Sequence, residues 1–277
     1  MSIMSEDTEV GVVRRATQAA PTGEPEARFQ DGNLSDVVRI GATVRRVPGA
    51  WTPAVQALLR HLETVGFEGA PRARGFDDRG REVLTFVEGS TIPASLDGYR
   101  SDQVLVEAAR LLRRYHDATV TFVPPPGAAW NFQVGATPGS EIICHNDVAP
   151  WNTVVRDGHP VAFIDFDYAA PGTRAWDVAY AVWRYVPLYD GEEHGTPAEQ
   201  ARRMHLFRDA YGLSDRPDLL PSIQHRMTVN YATLAAAAAD RTPPFVAMWR
   251  EGHGEGIVRD LAHLRRHWTT FEQSLGI

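Results

Sequence analysis

The side chains of Asp147, Asn152 and Asp165 carry oxygen atoms of the types, and at the spacing, that phosphoryl transfer requires. His145, Asp147 and Asn152 form the pattern H-x-D-x₄-N, and Asp165 follows in a second acidic motif with the sequence IDFD. Phosphoryl transfer needs a carboxylate that accepts a hydroxyl proton, and oxygen ligands that hold a magnesium ion. Asp147 suits the first role, and the oxygens of Asn152 and Asp165 suit Mg²⁺. The pattern therefore predicts a Mg²⁺-dependent phosphoryl-transfer site with Asp147 as the catalytic residue.

A motif of this kind is weak when it stands alone, because an Asp in a loop is more often a turn or cap residue than a base. Its surroundings make it more specific. An apolar run typical of a strand precedes Asp147, an Asp157-Gly158 hairpin signal follows Asn152, and a strand-rich segment lies upstream. Together these features favour a kinase-like site over an ordinary loop.

Size and composition are typical of a soluble globular protein. The chain has 277 residues, 43% of them hydrophobic and 23% charged, which allows two modest lobes with an ample core. The formal net charge of −7 argues against a general nucleic-acid binder. Cys144 is the only cysteine, so no internal disulfide can form, as expected in a reducing cytoplasm. We see no apolar run near the roughly 20 residues of a membrane span and no signal-peptide pattern.

The order of predicted elements divides the chain into a strand-rich part and a helical part. Residues 1–26 are polar, with several Pro and Gly, and we expect a poorly ordered lead-in. Two hairpins and one helix, which begins at Thr52-Pro53, are predicted before residue 90. Residues 88–93 are predicted to form a linker, and most of the remaining chain is predicted to be helical. The predicted fold class is α+β.

On these residues the chain resembles the aminoglycoside phosphotransferase family of small-molecule kinases, whose fold is similar to that of protein kinases. The resemblance covers residues 29–185 well and the rest loosely. It implies a two-lobed, protein-kinase-like fold. A small antiparallel β N-lobe with one helix, residues 27–89, would bind the nucleotide. A larger, mainly helical C-lobe, residues 90–277, would carry the catalytic loop and the acceptor site.

The resemblance also implies roles for individual residues. Asp147 would be the catalytic base, and Asn152 and Asp165 would be the metal ligands. His145 would anchor the loop, and Asp177 on the next helix would steady it. The hinge that meets the purine edge would contain three consecutive residues, namely Phe86, Val87 and Glu88.

The nucleotide-binding half departs from the family pattern, because every one of the 28 Lys-plus-Arg residues is Arg. Kinase-like folds use a strand Lys, paired with a helix Glu, to hold the α- and β-phosphates. Alignment with the family's strand favours Arg46 as the phosphate contact, with Arg45 second; both could also be solvated strand residues. The first turns of the predicted helix contain Gln56 but no Glu, and Glu63 comes late. The ion pair is therefore expected to be absent or rebuilt.

Three further features concern the loop that could cover the phosphates and the two residues on either side of His145. The loop at residues 31–35 could fold over phosphates, with Ser35 as a donor, but an ordinary turn fits equally well. Asn146 stands where the family commonly has Gly, and Asn can adopt the same backbone region. Cys144 precedes His145, yet adjacent strand residues point to opposite faces. A buried structural thiol is therefore favoured over a nucleophile.

Taken together, the sequence favours a kinase that uses ATP or GTP and Mg²⁺ to phosphorylate a hydroxyl of a small molecule. An aminoglycoside is one candidate, because acidic side chains could meet its ammonium groups; these are Asp190, Glu192, Glu193 and Glu255. A macrolide, a choline-like alcohol, a sugar or an amino alcohol is equally open. The expected partners are this molecule and the nucleoside triphosphate, with the protein a monomer or dimer. The alternative is a catalytically weak nucleotide- or ligand-binding module, which the missing Lys–Glu pair motivates.

Overall fold

The computed structural model describes residues 27–28, 37–92, 101–131, 140–213, 218–242 and 245–276. The predicted lead-in over residues 1–26 and the loop at residues 31–35, with Ser35, lie outside the described residues. Within the described parts, strands come first and helices dominate afterwards, as the α+β prediction requires.

Five strands form one antiparallel sheet in the order β1-β2-β3-β5-β4. They are β1 (Ala27–Arg28), β2 (Val38–Ile40), β3 (Thr43–Arg46), β4 (Ala73–Phe76) and β5 (Glu82–Thr85). The turn between β2 and β3 contains Gly41 at a φ of 56°, which Gly adopts without steric penalty. Helix α1 (Thr52–Thr64) follows β3, and the Thr52 hydroxyl accepts a hydrogen bond from the Gly49 N–H at 2.9 Å. Both predicted hairpins and the predicted helix are therefore confirmed.

Two smaller sheets surround the motif. One contains β6 (Ser90–Thr91), β8 (Thr153–Arg156) and β9 (His159–Phe163), and the other pairs β7 (Ile142–Cys144) with β10 (Ala170–Gly172). Strand β6 lies where a linker was expected, so that prediction was wrong. A two-residue strand is too short to produce an alternating pattern, and it forms because it pairs with β8. The lobe boundary after residue 89 stays a prediction.

The remaining chain is helical and begins with α2. The helices are α2 (Asp102–Thr119), α3 (Arg174–Tyr185), α4 (Pro197–Tyr211), α5 (Leu219–Ala239), α6 (Phe245–Arg250), α7 (His253–Arg266) and α8 (Trp268–Leu275). Ser101, Thr173 and Thr196 cap α2, α3 and α4 by accepting a hydrogen bond from a first-turn N–H. One long helix was predicted over residues 257–275, but the chain forms two, because the backbone leaves helical geometry at His267.

A continuous apolar core joins the strand-rich and helical parts. The face of α1 that was predicted from its periodicity is fully buried, and it comprises Val55, Leu58, Leu59 and Leu62. This face shares the core with Leu111 and Leu112 of α2. Burial of each such side chain contributes about 1.5–3 kcal/mol. Helix α3 is buried along most of its length, so it is a rigid support for the adjoining loop. Among the described residues, none of the helices combines the length and apolarity needed to span a membrane.

Candidate active site

The loop that follows β7 carries the H-x-D-x₄-N motif, and His145 anchors it. The His145 ring is buried, and its Nε2 lies 3.1 Å from the Ile164 carbonyl oxygen. The ring also packs on Phe166, with a centroid distance of 4.5 Å. Burial lowers the pKa of His145, against the opposing effects of Asp177 and Asp147. The other ring nitrogen, Nδ1, accepts a hydrogen bond from the Asp147 N–H at 3.3 Å, so both nitrogens are engaged. A ring held in this way is the structural anchor that was expected of His145, and neither nitrogen is left to act as the base.

Asp177 of α3 holds the same loop through its backbone. Its carboxylate accepts hydrogen bonds from the N–H groups of His145 at 2.7 Å and Asn146 at 2.8 Å, and contacts His116 Nε2 at 3.0 Å. His116 in turn lies 2.6 Å from the Tyr211 hydroxyl. Burial alone would raise the pKa of Asp177, but His116 and the backbone donors bring it below its usual value. The buried carboxylate is therefore ionised and ties the loop to α2 and α3.

Asn146 is locked by contacts that the sequence did not reveal. Its backbone φ is 66°, in the left-handed region that Asn tolerates. Its amide donates to the Tyr168 carbonyl at 2.9 Å, and its Oδ1 accepts from Trp176 Nε1 at 2.9 Å. Arg226 of α5, which is buried, donates to the Asn146 Oδ1 at 3.2 Å and to its carbonyl at 2.7 Å. Asn146 thus adds side-chain contacts that a Gly could not make.

Asp147 is held from two sides. Tyr180 of α3 donates its hydroxyl proton to Oδ1 at 2.6 Å, and the Asn152 amide donates to Oδ2 at 2.7 Å. Burial raises the pKa of Asp147, while the Tyr180 hydrogen bond, His145 and Arg184 oppose the rise. A positioned carboxylate with an elevated pKa is suited to accept a proton from a hydroxyl. Tyr180 was missed, because no sequence motif marks an aromatic residue that reaches back to a loop.

Asn152 and Asp165, the two predicted metal ligands, are brought close together through the backbone. The N–H of Ile164, the residue before Asp165, donates to the Asn152 carbonyl at 2.9 Å. Asp165 adopts a φ of 64°. Burial and the adjacent charge of Asp167 raise the pKa of Asp165 to about 6, and Arg46 opposes the rise.

The donor set of this pair fits Mg²⁺, which prefers carboxylate and amide oxygens together with phosphate oxygens. The Asn152 amide nitrogen points to Asp147, so the carbonyl Oδ1 is the atom left for a cation. No three His, Cys, Asp or Glu side chains form a metal cluster within the described ranges. A bound magnesium ion would therefore need oxygen atoms from the nucleotide as well.

Arg46 of β3 lies beside this pair. Its Nε donates to the Glu82 carboxylate at 2.5 Å, and its Nη2 and Nη1 lie 2.6 Å and 3.4 Å from Asp167 and Asp165. The Arg46 cluster consists of these four side chains, namely Arg46, Glu82, Asp165 and Asp167. The carboxylates more than offset the effect of burial on the guanidinium, so the pKa of Arg46 is raised. Arg45 points away and contacts Asp77 at 3.5 Å. Arg45 and Arg46 thus contact different carboxylates, and neither is simply solvated. The contact of Arg46 with phosphates stays a prediction.

Glu82 supplies the carboxylate that was expected from the helix. It lies directly opposite Arg46 on β5 and is fully buried. Gln56 of α1 donates to the Glu82 Oε1 at 3.2 Å, whereas Glu63 pairs with Arg74 at the surface. The ion pair is therefore rebuilt, with its acid on a strand and an amide on the helix. The sequence signal that could have identified this acid is Glu82 itself, which stands in the otherwise mainly apolar strand β5.

The predicted hinge residues follow β5 directly. The Phe86 N–H donates to the Ala42 carbonyl at 2.8 Å, and Arg39 lies 3.7 Å above the Phe86 ring. Arg39 also pairs with the Glu88 carboxylate at 2.6 Å. Val87 lies between these two held residues. The arrangement stiffens the segment, and its contact with a purine stays a prediction.

Other candidate residues have structural surroundings. Cys144 is buried, its thiol contacts the Thr173 carbonyl, and burial raises its pKa, as expected of a structural thiol. Asp190, one of the acidic residues considered for a cationic acceptor, contacts Arg266 and His263 at 3.3 Å. Three aromatic residues of α3 are buried in the core, namely Trp176, Trp183 and Tyr185.

Comparison with known proteins gives the family. Residues 128–211, which span the catalytic loop and α3, match the model of the phosphotransferase enzyme family. The chain is also 38% identical over 261 residues to the trifolitoxin immunity protein of Rhizobium leguminosarum bv. trifolii, covering 88% of this chain and 96% of that protein. The chain belongs to the phosphotransferase enzyme family.

Solved structures of low sequence identity share the fold of this phosphotransferase family member. A choline/ethanolamine kinase family protein from Mesorhizobium loti has a TM-score of 0.61 at 15% identity, covering 91% of this chain and 92% of its own. An amicoumacin kinase in complex with AMP-PNP, Ca²⁺ and Ami has a TM-score of 0.60 at 14% identity, covering 90% and 88%. The GDP complex of an aminoglycoside 2'-phosphotransferase has a TM-score of 0.59 at 14% identity, covering 87% and 94%.

These similarities confirm the two-lobed, kinase-like α+β fold and the resemblance to the aminoglycoside phosphotransferases. Together, family and fold support a small-molecule phosphotransferase with a nucleotide co-substrate.

Proposed function

We propose that the protein is a Mg²⁺-dependent kinase that moves the terminal phosphate of ATP or GTP to a hydroxyl of a small molecule. Asp147 is the catalytic base, and Asn152 and Asp165 hold the metal ion. Arg46 contacts the phosphates, with Ser35 as a second donor. Phe86, Val87 and Glu88 form the hinge for the base of the nucleotide.

The observation that carries this proposal is the geometry around Asp147. Its carboxylate is fixed by Tyr180 and Asn152 at 2.6 Å and 2.7 Å. The Asn152 backbone then binds the residue that precedes Asp165. The proposed base and the proposed cation ligands are thus joined through one residue, Asn152, which is the positioning that phosphoryl transfer depends on. An ordinary turn Asp would have no need for the second carboxylate.

Each protein group contributes a defined step. Asp147 accepts the proton of the acceptor hydroxyl as its oxygen bonds to the terminal phosphorus, and the nucleoside diphosphate leaves. The charge of Arg46 is directed at the phosphate oxygens, and its planar guanidinium can donate two hydrogen bonds to one phosphate group. A bound Mg²⁺ would supply charge neutralisation on the phosphates.

The class of acceptor is inferred from the trifolitoxin immunity protein, which is 38% identical to this chain. That protein is named for immunity to trifolitoxin, so we propose an antibiotic-like hydroxylated compound as the acceptor. Aminoglycosides belong to the compounds to be tested.

The test is transfer of labelled terminal phosphate from Mg-ATP and Mg-GTP to a panel of hydroxylated antibiotics, sugars and amino alcohols. Asp147→Asn keeps the size of the side chain and should lower transfer by about 10²–10⁴-fold. Asp117→Asn, at a half-exposed acid of α2 paired with Arg113, is the matched control. Undiminished transfer in Asp147→Asn would remove Asp147 as the base.

A second candidate function is a catalytically weak nucleotide- or ligand-binding module. The specific observation in its favour is that Arg46 already contacts three carboxylates, which compete with phosphate oxygens for the guanidinium. Thermal stabilisation separates the two proposals. A kinase is stabilised by Mg-ATP or Mg-GTP, whereas a small ligand alone would stabilise a binding module.

A further inference from the structure

Arg184 is a cation in an aromatic enclosure next to the proposed base. Its guanidinium carbon lies 3.6 Å from the ring centroid of Trp183, 5.1 Å from Tyr180 and 5.7 Å from Trp151. Its Nη1 donates to the Tyr189 hydroxyl at 3.3 Å. The enclosure is therefore built from α3, the segment after it and the catalytic loop.

The charge of Arg184 has no ion-pair partner among the described residues. Two other arginines differ: Arg46 contacts three carboxylates, and Arg203 contacts Asp102 at 2.8 Å. The Nε of Arg184 is buried and has no hydrogen-bond acceptor in the part of the chain that the structure describes. A buried donor without an acceptor costs about 1–3 kcal/mol. The N–H at Nε belongs to the edge of a guanidinium that binds a carboxylate through two parallel hydrogen bonds.

The enclosure adjoins the position of the acceptor hydroxyl. Tyr180 hydrogen-bonds Asp147, and Arg184 follows Tyr180 by four residues, so both side chains lie on the same face of α3. Trp151 follows Asp147 by four residues on the loop itself. Arg184 also influences the carboxyl group of Asp147 electrostatically. A molecule that presents its hydroxyl to Asp147 therefore has its next few atoms beside Arg184.

We propose that Arg184 and its aromatic neighbours form the acceptor subsite, and that it binds a carboxylate or a similar planar anion on the hydroxylated substrate. This inference rests on the proposed function, and it specifies the class of acceptor. The guanidinium pairs with the anion, the Tyr189 hydroxyl is a second donor, and Trp151 and Tyr180 contact the apolar part of the substrate.

This subsite has the wrong charge for a polycation such as an aminoglycoside. Ammonium groups would meet the charge of Arg184, which acts electrostatically on Asp147 and Asp260 but forms no ion pair among the described residues. Two of the acidic residues that could have offset it already have cationic or His partners, namely Asp190 and Glu193.

The test uses three hydroxylated acids, N-acetylserine, N-acetyltyrosine and tropate, each beside its own neutral amide. Binding is followed by the intrinsic tryptophan fluorescence, to which Trp151 and Trp183 beside Arg184 contribute. The wild-type protein should bind at least one acid about tenfold more tightly than its amide, as one charge-assisted pair contributes. Arg184→Gln should remove that preference, and Arg184→Lys should retain part of it, because it keeps the charge without the planar fork. Arg74→Gln, at an exposed ion pair, should leave it unchanged.

Each result decides between the subsite and its absence. Loss of the preference in folded Arg184→Gln supports the subsite. Equal binding of acids and amides by the wild type, no binding of any acid, tighter binding of kanamycin, or an unchanged preference in Arg184→Gln overturns it. The outcome of this binding test can be distinguished from the outcome of the phosphate-transfer test of the proposed kinase. Phosphate transfer without charge preference removes the subsite alone, and acid binding without any transfer removes the kinase alone.

Discussion

The catalytic loop adjoins the Arg46 cluster next to Asp165, and the two are held by different kinds of contact. The loop is fixed by hydrogen bonds from buried groups on three helices, with Asp177, His116 and Arg226 as the main partners. The Arg46 cluster instead consists of one guanidinium shared among three carboxylates. Loss of a buried hydrogen bond disrupts a fixed geometry, whereas shared charges can exchange partners. The loop is therefore suited to hold a base, and the cluster is suited to admit a charged ligand.

The largest effect should come from Asp177, because it binds both the loop backbone and His116. Asp177→Ala leaves two buried N–H groups without an acceptor. We expect the free energy of unfolding, from urea denaturation, to fall by about 3–5 kcal/mol. Glu63→Ala removes only an exposed ion pair and should change it by less than about 1 kcal/mol. Similar losses in both variants would mean that Asp177 does not hold the loop.

The next effect tests the cluster as a phosphate contact. Arg46→Ala should raise the dissociation constant of Mg-ATP or Mg-GTP by about 10–100-fold, the contribution of hydrogen bonds to a charged group. Arg45→Ala is the matched control on the opposite face of β3 and should change it much less. Titration calorimetry measures both, after circular dichroism has shown each variant to be folded. A larger loss in Arg45→Ala would contradict the assignment.

Asn146 tests how much its side chain adds to the loop. Asn146→Gly keeps the left-handed backbone accessible but removes contacts to Tyr168, Trp176 and Arg226. We expect a loss of about 2 kcal/mol in unfolding free energy. Asn146→Ala should lose about 1 kcal/mol more, because Ala is disfavoured at this backbone angle. A Gly variant as stable as the wild type would show that these contacts contribute nothing.

A smaller effect tests whether the cluster depends on the position of its buried acid. Glu82→Gln should weaken binding of Mg-ATP or Mg-GTP by about tenfold, because Arg46 loses the buried carboxylate that fixes the position of its guanidinium. The exchange variant Gln56→Glu/Glu82→Gln should restore most of it, because the two side chains already touch at 3.2 Å. Gln56→Ala/Glu82→Gln provides the control without restoration. Failure of the exchange variant would mean that the helix cannot supply the acid.

The smallest effect is a change in how the free energy of unfolding depends on pH. Burial lowers the pKa of His116 and His145 below the usual 6.5. As the pH falls below about 6.5, the unfolded chain binds protons that the folded loop excludes, so stability present at neutral pH is lost. The loss is at most about 1.4 kcal/mol per pH unit for each ring. The Arg46 cluster responds with the opposite sign, because the pKa of Asp165 is raised to about 6 in the folded protein and its protonation there stabilises the fold as the pH falls.

Urea denaturation at about pH 7 and about pH 5 measures this slope. His116→Gln should reduce it, whatever the variant's overall stability. His159→Gln removes an exposed ring and should leave the slope unchanged. An unaltered slope in His116→Gln would exclude this ring as a source of acid sensitivity.

Sequence patterns predicted the parts of the molecule that depend on neighbours along the chain. The turns at Gly41 and Asp157-Gly158, the start of α1 and the H-x-D-x₄-N loop are local signals, and all were found. The partners of these elements were missed where they come from distant segments. Glu82 and Arg226 contact residues 36 and 80 positions away, and periodicity carries no information at that separation. The sequence correctly indicated that the first turns of α1 lack the Glu of the family's ion pair. Glu82 can be identified as its replacement only from the pairing of β3 with β5.

Asn146 also has a consequence for how this loop can change by mutation. Its oxygen atoms accept from both Trp176 and Arg226, and the Arg226 guanidinium lies 4.3 Å from the Trp176 ring. Replacement of Asn146 alone removes the side-chain oxygen that Trp176 and Arg226 share as an acceptor. Replacement of Arg226 alone removes one of the two donors to that oxygen and the donor to the Asn146 carbonyl. The effects of substitutions at the three positions are therefore expected to be epistatic, and a lineage loses least stability in exchanging Asn146 for Gly when Trp176 and Arg226 change with it.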